Sequence, residues 1–255
     1  MSDVTGTDAH GRGDTFRLRP DRLDAMYDTR STAGYALRAR LQAVVMLAGD
    51  GPGQALDAGA GTGRLCSALA SHGWAVRGID ASTEMAAFST ASGNARVDVG
   101  SVEALPFDGE AFDLVTATGL LEYTGLAALR ELVRVARRGA RIVVSYPNPR
   151  APYSRWRQRA FYPAAGAVRR AVGRGPLDLP TGRGPALGPV RFAAVLARAG
   201  IQLERVVFTS CLAVPSPLDS LLPAVADRAG RAAERRGGRA AQALATQVVY
   251  AGRRA

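Results

Sequence analysis

The chain has 255 residues, 47% hydrophobic and 22% charged, the balance of a globular domain with a sizeable core. No run of about 18 uncharged apolar residues occurs, which excludes a membrane-spanning helix. The polar start MSDVTGTDAHGRGDTF lacks the apolar core of a signal peptide, so the expected compartment is the cytoplasm. Cys66 and Cys211 form neither a metal-ligand spacing nor a disulfide framework. With only His10 and His72, zinc chemistry and histidine general-base catalysis have little to work with.

The net charge of +11 is uneven: residues 1–149 sum to −2 and residues 150–255 to +13. Every basic residue is arginine, which with the abundant alanine and glycine is the mark of GC-rich coding. Uniform coding bias does not explain why acids are scarce in the second half. That excess points to an anionic acceptor or an anionic membrane surface, with nucleic acid as the rival partner.

Residues 1–20 are polar and glycine-rich and are expected to form a flexible tail, with residues 21–255 as one domain. From Tyr35, the apolar positions Leu37, Leu41, Val44, Val45 and Ala48 share one helical face. A strand at 54–58 runs into Gly59-Ala60-Gly61-Thr62-Gly63, and a helix with Leu65 and Leu69 follows, ending near His72-Gly73. Strand two covers 74–79 and ends in Asp80; Ser82 caps the next helix. Strands three and four are expected at 95–99 and 112–117. A helix through Leu126, Leu129, Leu132 and Val133 closes at Arg137-Arg138-Gly139, with cations at its negative end. Strand five covers 141–146. Helix 190–199 precedes a strand at 201–208, and 244–252 reads as the last strand. Strands alternating with helices predict an α/β fold: a doubly wound, mostly parallel seven-stranded sheet, Rossmann-like, with helical insertions at about 147–187 and 209–240. The first insertion follows strand five, whose carboxyl end faces the ligand crevice in this topology, and is expected to cap the acceptor.

The chemistry concentrates at Asp57-Ala58-Gly59-Ala60-Gly61-Thr62-Gly63. Glycines at alternate positions let the backbone turn sharply and approach a ligand, with a helix N-terminus behind them. Asp80, at the end of the next strand, can accept both hydroxyls of a ribose. Together they describe a site for an adenosine-containing cofactor. A dinucleotide fingerprint would need a third glycine where Arg64 stands. Asp57 would repel a pyrophosphate but suits an ammonium group.

With these residues, and with Gly78-Ile79-Asp80-Ala81-Ser82, Ala104-Leu105-Pro106-Phe107, Phe112-Asp113-Leu114-Val115 and Arg141 to Asn148, the chain resembles the class I S-adenosylmethionine-dependent methyltransferases. It is most similar to the subgroup that includes ubiquinone and menaquinone methyltransferases. The resemblance implies S-adenosyl-L-methionine as cofactor. It assigns the methionine part to Asp57, Gly59, Ala60 and Gly61, the ribose to Asp80 and the adenine to Ala81. The segment after strand three has Ser101 and Val102 where relatives usually read the adenine with an acid. Thr118, closing strand four, is implied at the methionine end. Tyr27 and Arg40 stand where relatives often place a covering aromatic and a carboxylate-binding arginine.

Other residues leave two readings open. Glu122 and Tyr123 follow strand four, either as a solvated helix start or as acceptor-side groups. Trp156, Phe161 and Tyr162 among Arg155, Arg157 and Arg159 suit an interfacial amphipathic segment, a substrate lid or a solvated helix. No Asn/Asp-Pro-Pro-Tyr/Phe motif follows strand four and no Pro-Cys nucleophile occurs, which points away from DNA, RNA-amino and cytosine-C5 methylation. The expected acceptor is a small or lipidic molecule. An RNA-modifying enzyme and a non-catalytic cofactor-binding regulator are the alternatives.

Overall fold

A computed structural model describes residues 19–174 and 186–255. Most of the expected tail (1–18), His10 with it, and residues 175–185 of the expected cap lie outside the described residues. Two helices open the chain, α1 (Pro20–Asp28) and α2 (Thr32–Ala48). They are followed by β1 (Gly53–Ala58), α3 (Arg64–Ser71), β2 (Trp74–Asp80), α4 (Thr83–Ala91) and β3 (Val97–Val99). Next come β4 (Phe112–Ala117), α5 (Leu121–Thr124), α6 (Ala128–Val135) and β5 (Ala136–Pro147). The first insertion folds as α7 (Pro152–Trp156), a π-helical turn (Arg157–Phe161) and α8 (Tyr162–Ala171). Then α9 (Pro189–Arg198) and β6 (Ile201–Cys211) lead to the second insertion, α10 (Leu218–Leu221), α11 (Pro223–Arg236) and α12 (Gly238–Leu244), and the chain closes with β7 (Ala245–Arg254).

The sheet has seven strands in the order β3-β2-β1-β4-β5-β7-β6. All pairings from β3 to β5 are parallel, and β7 runs antiparallel between β5 and β6. Strand alternation divides the core between two faces. On one, Leu56, Ala58, Val115 and Ile142 meet Leu129 and Leu132 of α6 and Phe192 and Leu196 of α9. On the other, Ala55, Leu114, Val143 and Val249 meet Val44 and Leu47 of α2 and Leu65 and Leu69 of α3. The order reverses at β1 and β4, so the crevice of this sheet opens at their carboxyl ends.

Two local expectations are corrected. Helix α1 begins at Pro20, inside the stretch read as tail; proline suits a first helical position, where no N–H bond is needed. Arg137-Arg138-Gly139 do not end a helix: α6 stops at Val135 and these residues are already in β5. Their cations are met across the strand pair instead, Arg137 by Asp113 and Arg138 by Glu110.

Candidate functional site

The turn after β1 is built by three left-handed glycines, Gly59, Gly61 and Gly63, with φ of +76°, +53° and +78°. The N–H groups of Gly59 and Ala60 both donate to the Ile79 carbonyl, at 2.8 and 3.0 Å, tying the loop to β2. Asp80, at the end of that strand, then takes the loop in hand. One carboxylate oxygen accepts the Gly61 N–H at 2.8 Å and the other the Ser82 N–H at 2.9 Å. The glycines serve different ends. A Cβ on Gly63 would lie 2.1 Å from Ser89 Oγ, and one on Gly59 would lie 2.9 Å from Leu120 Cδ1. A Cβ on Gly61 would meet nothing within 4 Å, so the loop opens to free space at that residue alone of the three.

Asp57 lies below this loop and is 2% exposed. Strand alternation turns it to the α2–α3 face. There its Oδ1 accepts the Thr116 hydroxyl at 2.7 Å and its Oδ2 the Cys66 thiol at 3.5 Å. Burial raises its pKa to about 6 from an ordinary 3.8, against the pull of these two donors. The neutral carboxyl is therefore the form that folding prefers. That preference is complete below pH about 4 and is lost as pH rises through about 6, a difference of about 3 kcal/mol. On acidification across that window the protein should gain stability relative to Asp57→Asn, which does not titrate. Parallel Tm-versus-pH curves for the two would remove Asp57 as the cause.

At the carboxyl end of β4, Thr118 is half-buried and the Gly119 N–H donates to Ser145 Oγ at 3.0 Å. Arg40 comes in from α2: its Nη1 would lie 3.0 Å from a Cβ on Gly119, so the guanidinium packs against that glycine. Burial raises the Tyr27 phenol; Arg40 opposes the shift and Asp57 adds to it, which places all three in one neighbourhood. Glu122, in the first turn of α5, has a buried Oε2 without a hydrogen-bond partner. Burial pushes its carboxyl up, and Arg40 pulls it back. Burial raises the phenols of Tyr123 and of Tyr146 in β5, and the Glu122 carboxylate adds to both shifts. The sequence offers two separate pairs, Tyr27 with Arg40 and Glu122 with Tyr123; the fold sets Arg40 against Gly119, three residues before Glu122, and so joins them.

Ala81 is exposed directly after Asp80, and Ser101 is exposed, its Oγ accepting the Glu103 N–H at 3.2 Å. Val102 is buried and packs in the cluster that includes Ile79 and Leu105. His72 is exposed at the end of α3, its ring 2.9 Å from the Ala68 carbonyl, a helix-end contact.

Arg64 was not singled out as a functional residue, yet it fastens the first helix over the loop. It grips Asp24 with two bonds of 2.8 Å and Asp28 at 2.7 and 3.2 Å, and its guanidinium lies 5.3 Å from the Tyr27 ring centre. Asp24 and Asp28 stand four residues apart, the spacing that aligns two carboxylates on one helix face, and that was the available signal. The aromatic stripe of the first insertion is also engaged. The Trp156 indole donates to the Ser216 carbonyl at 2.8 Å, and Arg157 lies 4.7 Å from the Tyr162 ring centre and 5.6 Å from that of Tyr153.

Residues 56–144 match the family model described as a methyltransferase domain. A demethylmenaquinone methyltransferase of Roseiflexus castenholzii is 36% identical over 169 residues, covering 61% of this chain and 70% of that protein. A ubiquinone/menaquinone biosynthesis C-methyltransferase of Rubrivivax gelatinosus is 34% identical over 146 residues, 55% of this chain and 56% of that protein. Among solved structures, an S-adenosylmethionine-dependent methyltransferase of Thermotoga maritima shares the fold with a TM-score of 0.60 at 18% identity, over 92% of this chain and 95% of its own. A glycine loop on a parallel sheet, the acid closing the second strand and these likenesses agree: the chain belongs to the S-adenosylmethionine-dependent methyltransferases.

Proposed function

We propose that this enzyme methylates a ring carbon of a small lipidic quinol. The observation that carries the acceptor is the likeness to two relatives, both named for methyl transfer to quinone-type molecules. Bound S-adenosylmethionine supplies an electrophilic methyl group on a sulfonium.

The residues present fit that cofactor. The opening at Gly61 admits a ligand against the loop backbone, and Asp80, anchored at both oxygens, keeps lone pairs for two ribose hydroxyls. Gly59, Ala60, Gly61 and Thr118 would hold the methionine part; Ala81, Ser101 and Val102 would hold the adenine. Arg40 is placed to pair with the amino-acid carboxylate, and Tyr27 covers it. Asp57 acts from beneath, as a charge held by Thr116 and Cys66 and not as a direct contact.

These groups orient and desolvate the reactants, and orientation is worth about 7–11 kcal/mol in well-aligned intramolecular models. The remaining need is a proton acceptor. Carbon methylation forms one C–C bond, breaks one S–C bond and releases the proton of the attacked ring carbon. Ionisation of the neighbouring ring hydroxyl makes that carbon nucleophilic. Glu122, with a buried and unpartnered Oε2 in the first turn of α5, is the group we assign to take a proton. Desolvation strengthens it as a base, and Arg40 keeps its ionised form accessible.

Incubation with methyl-labelled cofactor and reduced demethylmenaquinone should place label on the quinol ring carbon. Label recovered only in RNA, or only on a hydroxyl oxygen, would overturn this acceptor. Glu122→Gln should lower kcat about a hundredfold and flatten the acidic limb of its pH profile, with cofactor Kd within about threefold. An unchanged profile would leave Glu122 a structural group.

A further inference from the structure

Away from the cofactor loop, the second insertion carries apolar side chains that point outward. Leu218 and Leu221 at the two ends of α10, Leu222 at the bend that follows and Val225 in the first turn of α11 form a run of apolar side chains around one corner. They are 49%, 71%, 52% and 52% exposed. The corner that presents them is firmly held. Asp219 is 4% exposed and accepts the Tyr153 hydroxyl at 2.7 Å, Ser216 Oγ at 3.1 Å and Ser220 Oγ at 3.3 Å. The Trp156 indole, bonded to the Ser216 carbonyl, ties the same corner to the first insertion. A rigid corner with four outward apolar side chains marks a surface made for apolar contact.

Beside it lies a cavity of about 580 Å³ between the α1–α2 junction and α11, lined by Arg30, Arg38, Asp227, Arg228 and Arg231 among others. Arg38 and Arg231 are committed to Asp227, and Arg38 also donates to the Tyr27 and Thr29 carbonyls. Among the described residues Arg30 and Arg228 have no ion pair, so two cations face this cavity unneutralised. One helix, α11, thus borders an apolar face on one side and a cationic cavity on the other.

We propose that the α10–α11 corner docks on an anionic phospholipid bilayer. Leu218, Leu221, Leu222 and Val225 enter the leaflet, and Arg30 and Arg228 take lipid phosphates at its surface. The charge argues for this occupant: residues 150–255 carry +13, and an anionic leaflet is the apolar surface that complements it. A second copy of this chain would bring the same excess positive charge against itself. The docking residues lie outside the cofactor loop, so this proposal and the proposed methyl transfer can fail separately.

Flotation of the full chain with vesicles of phosphatidylcholine, with and without about one-third phosphatidylglycerol, tests it. Binding is expected to the anionic vesicles and to weaken with salt. Leu221→Ser with Leu222→Ser should cut partition at least about tenfold. Arg30→Ala with Arg228→Ala should cut it on anionic vesicles by about fivefold for each arginine, and leave the neutral vesicles unaffected. S-adenosylhomocysteine affinity, measured on each variant, reports that the fold is intact. Three results would overturn the proposal: no binding to either vesicle, binding unaltered in both variants, or a mass that doubles with concentration and reverts in the leucine variant without vesicle binding. Inorganic phosphate at millimolar level should not displace the protein from vesicles; full displacement would assign the arginines to a soluble phosphate compound and remove the bilayer.

Discussion

Asp80→Ala should weaken S-adenosylmethionine binding at least about a hundredfold. Two effects act together. The carboxylate holds the Gly61 and Ser82 N–H groups, so its loss frees the loop that must meet the cofactor. Hydrogen bonds to a charged group are worth about 1.5–3 kcal/mol each, and the ribose contributes two more. Asp80→Asn should fall between, because an amide has one acceptor oxygen where the carboxylate has two. Calorimetry with S-adenosylmethionine and S-adenosylhomocysteine should show the same loss for both, since the ribose is common to them. A Kd within about threefold of the parent for Asp80→Ala would remove Asp80 from the ribose.

Gly61→Val and Gly63→Ala should fail in opposite ways. At Gly61 a side chain meets no protein atom, so the cost to folding is the left-handed backbone, about 1–2 kcal/mol. The same side chain would occupy the space assigned to the cofactor, and binding should drop below detection. At Gly63 the added methyl would be 2.1 Å from Ser89 Oγ. Ser89 is fully buried and bonded to the Ala95 carbonyl at 2.8 Å, so it has no free rotation to offer. Gly63→Ala should lose about 2–4 kcal/mol of stability from overpacking and backbone strain, with the remaining folded protein still binding cofactor. Thermal unfolding beside calorimetry separates the two. A stable, non-binding Gly63→Ala would reverse the roles given to these glycines.

Much of this was legible because short-range signals carry it. The glycine loop needs positive φ at fixed positions, and the flanking strands are apolar on both faces, as a parallel sheet between helix layers requires. The residues that gather at Gly119 were harder to place. Arg40 arrives from a helix about eighty residues earlier in the chain, and no local pattern states that distance. Asp57 was read as facing a ligand, although Ala55 and Asp57 share a parity that points them at α2 and α3. Helix α1 was hidden by length, since nine residues starting at a proline give little periodicity. Arg137 to Gly139 looked like a helix end because cations and a glycine are the usual marks of one. Their acidic partners across the strand pair, Asp113 and Glu110, become visible only in three dimensions.

The place of β7 makes it the link between two parts of the sheet. Among the described residues β6 pairs with β7 alone, while β7 pairs with β5 as well. β6 is therefore joined to the rest of the sheet through Ala245–Arg254, which lies between it and β5. The same strand seats Tyr250 against Phe192, ring centres 5.1 Å apart, and lets Asn148 reach the Ala245 carbonyl at 2.9 Å. Both insertions are anchored to strands that β7 joins. The two insertions are thus tied to the cofactor-side strands through β7, the strand next to the sheet's edge, so loss of its pairing would loosen both insertions while leaving the β3 to β5 pairings in place.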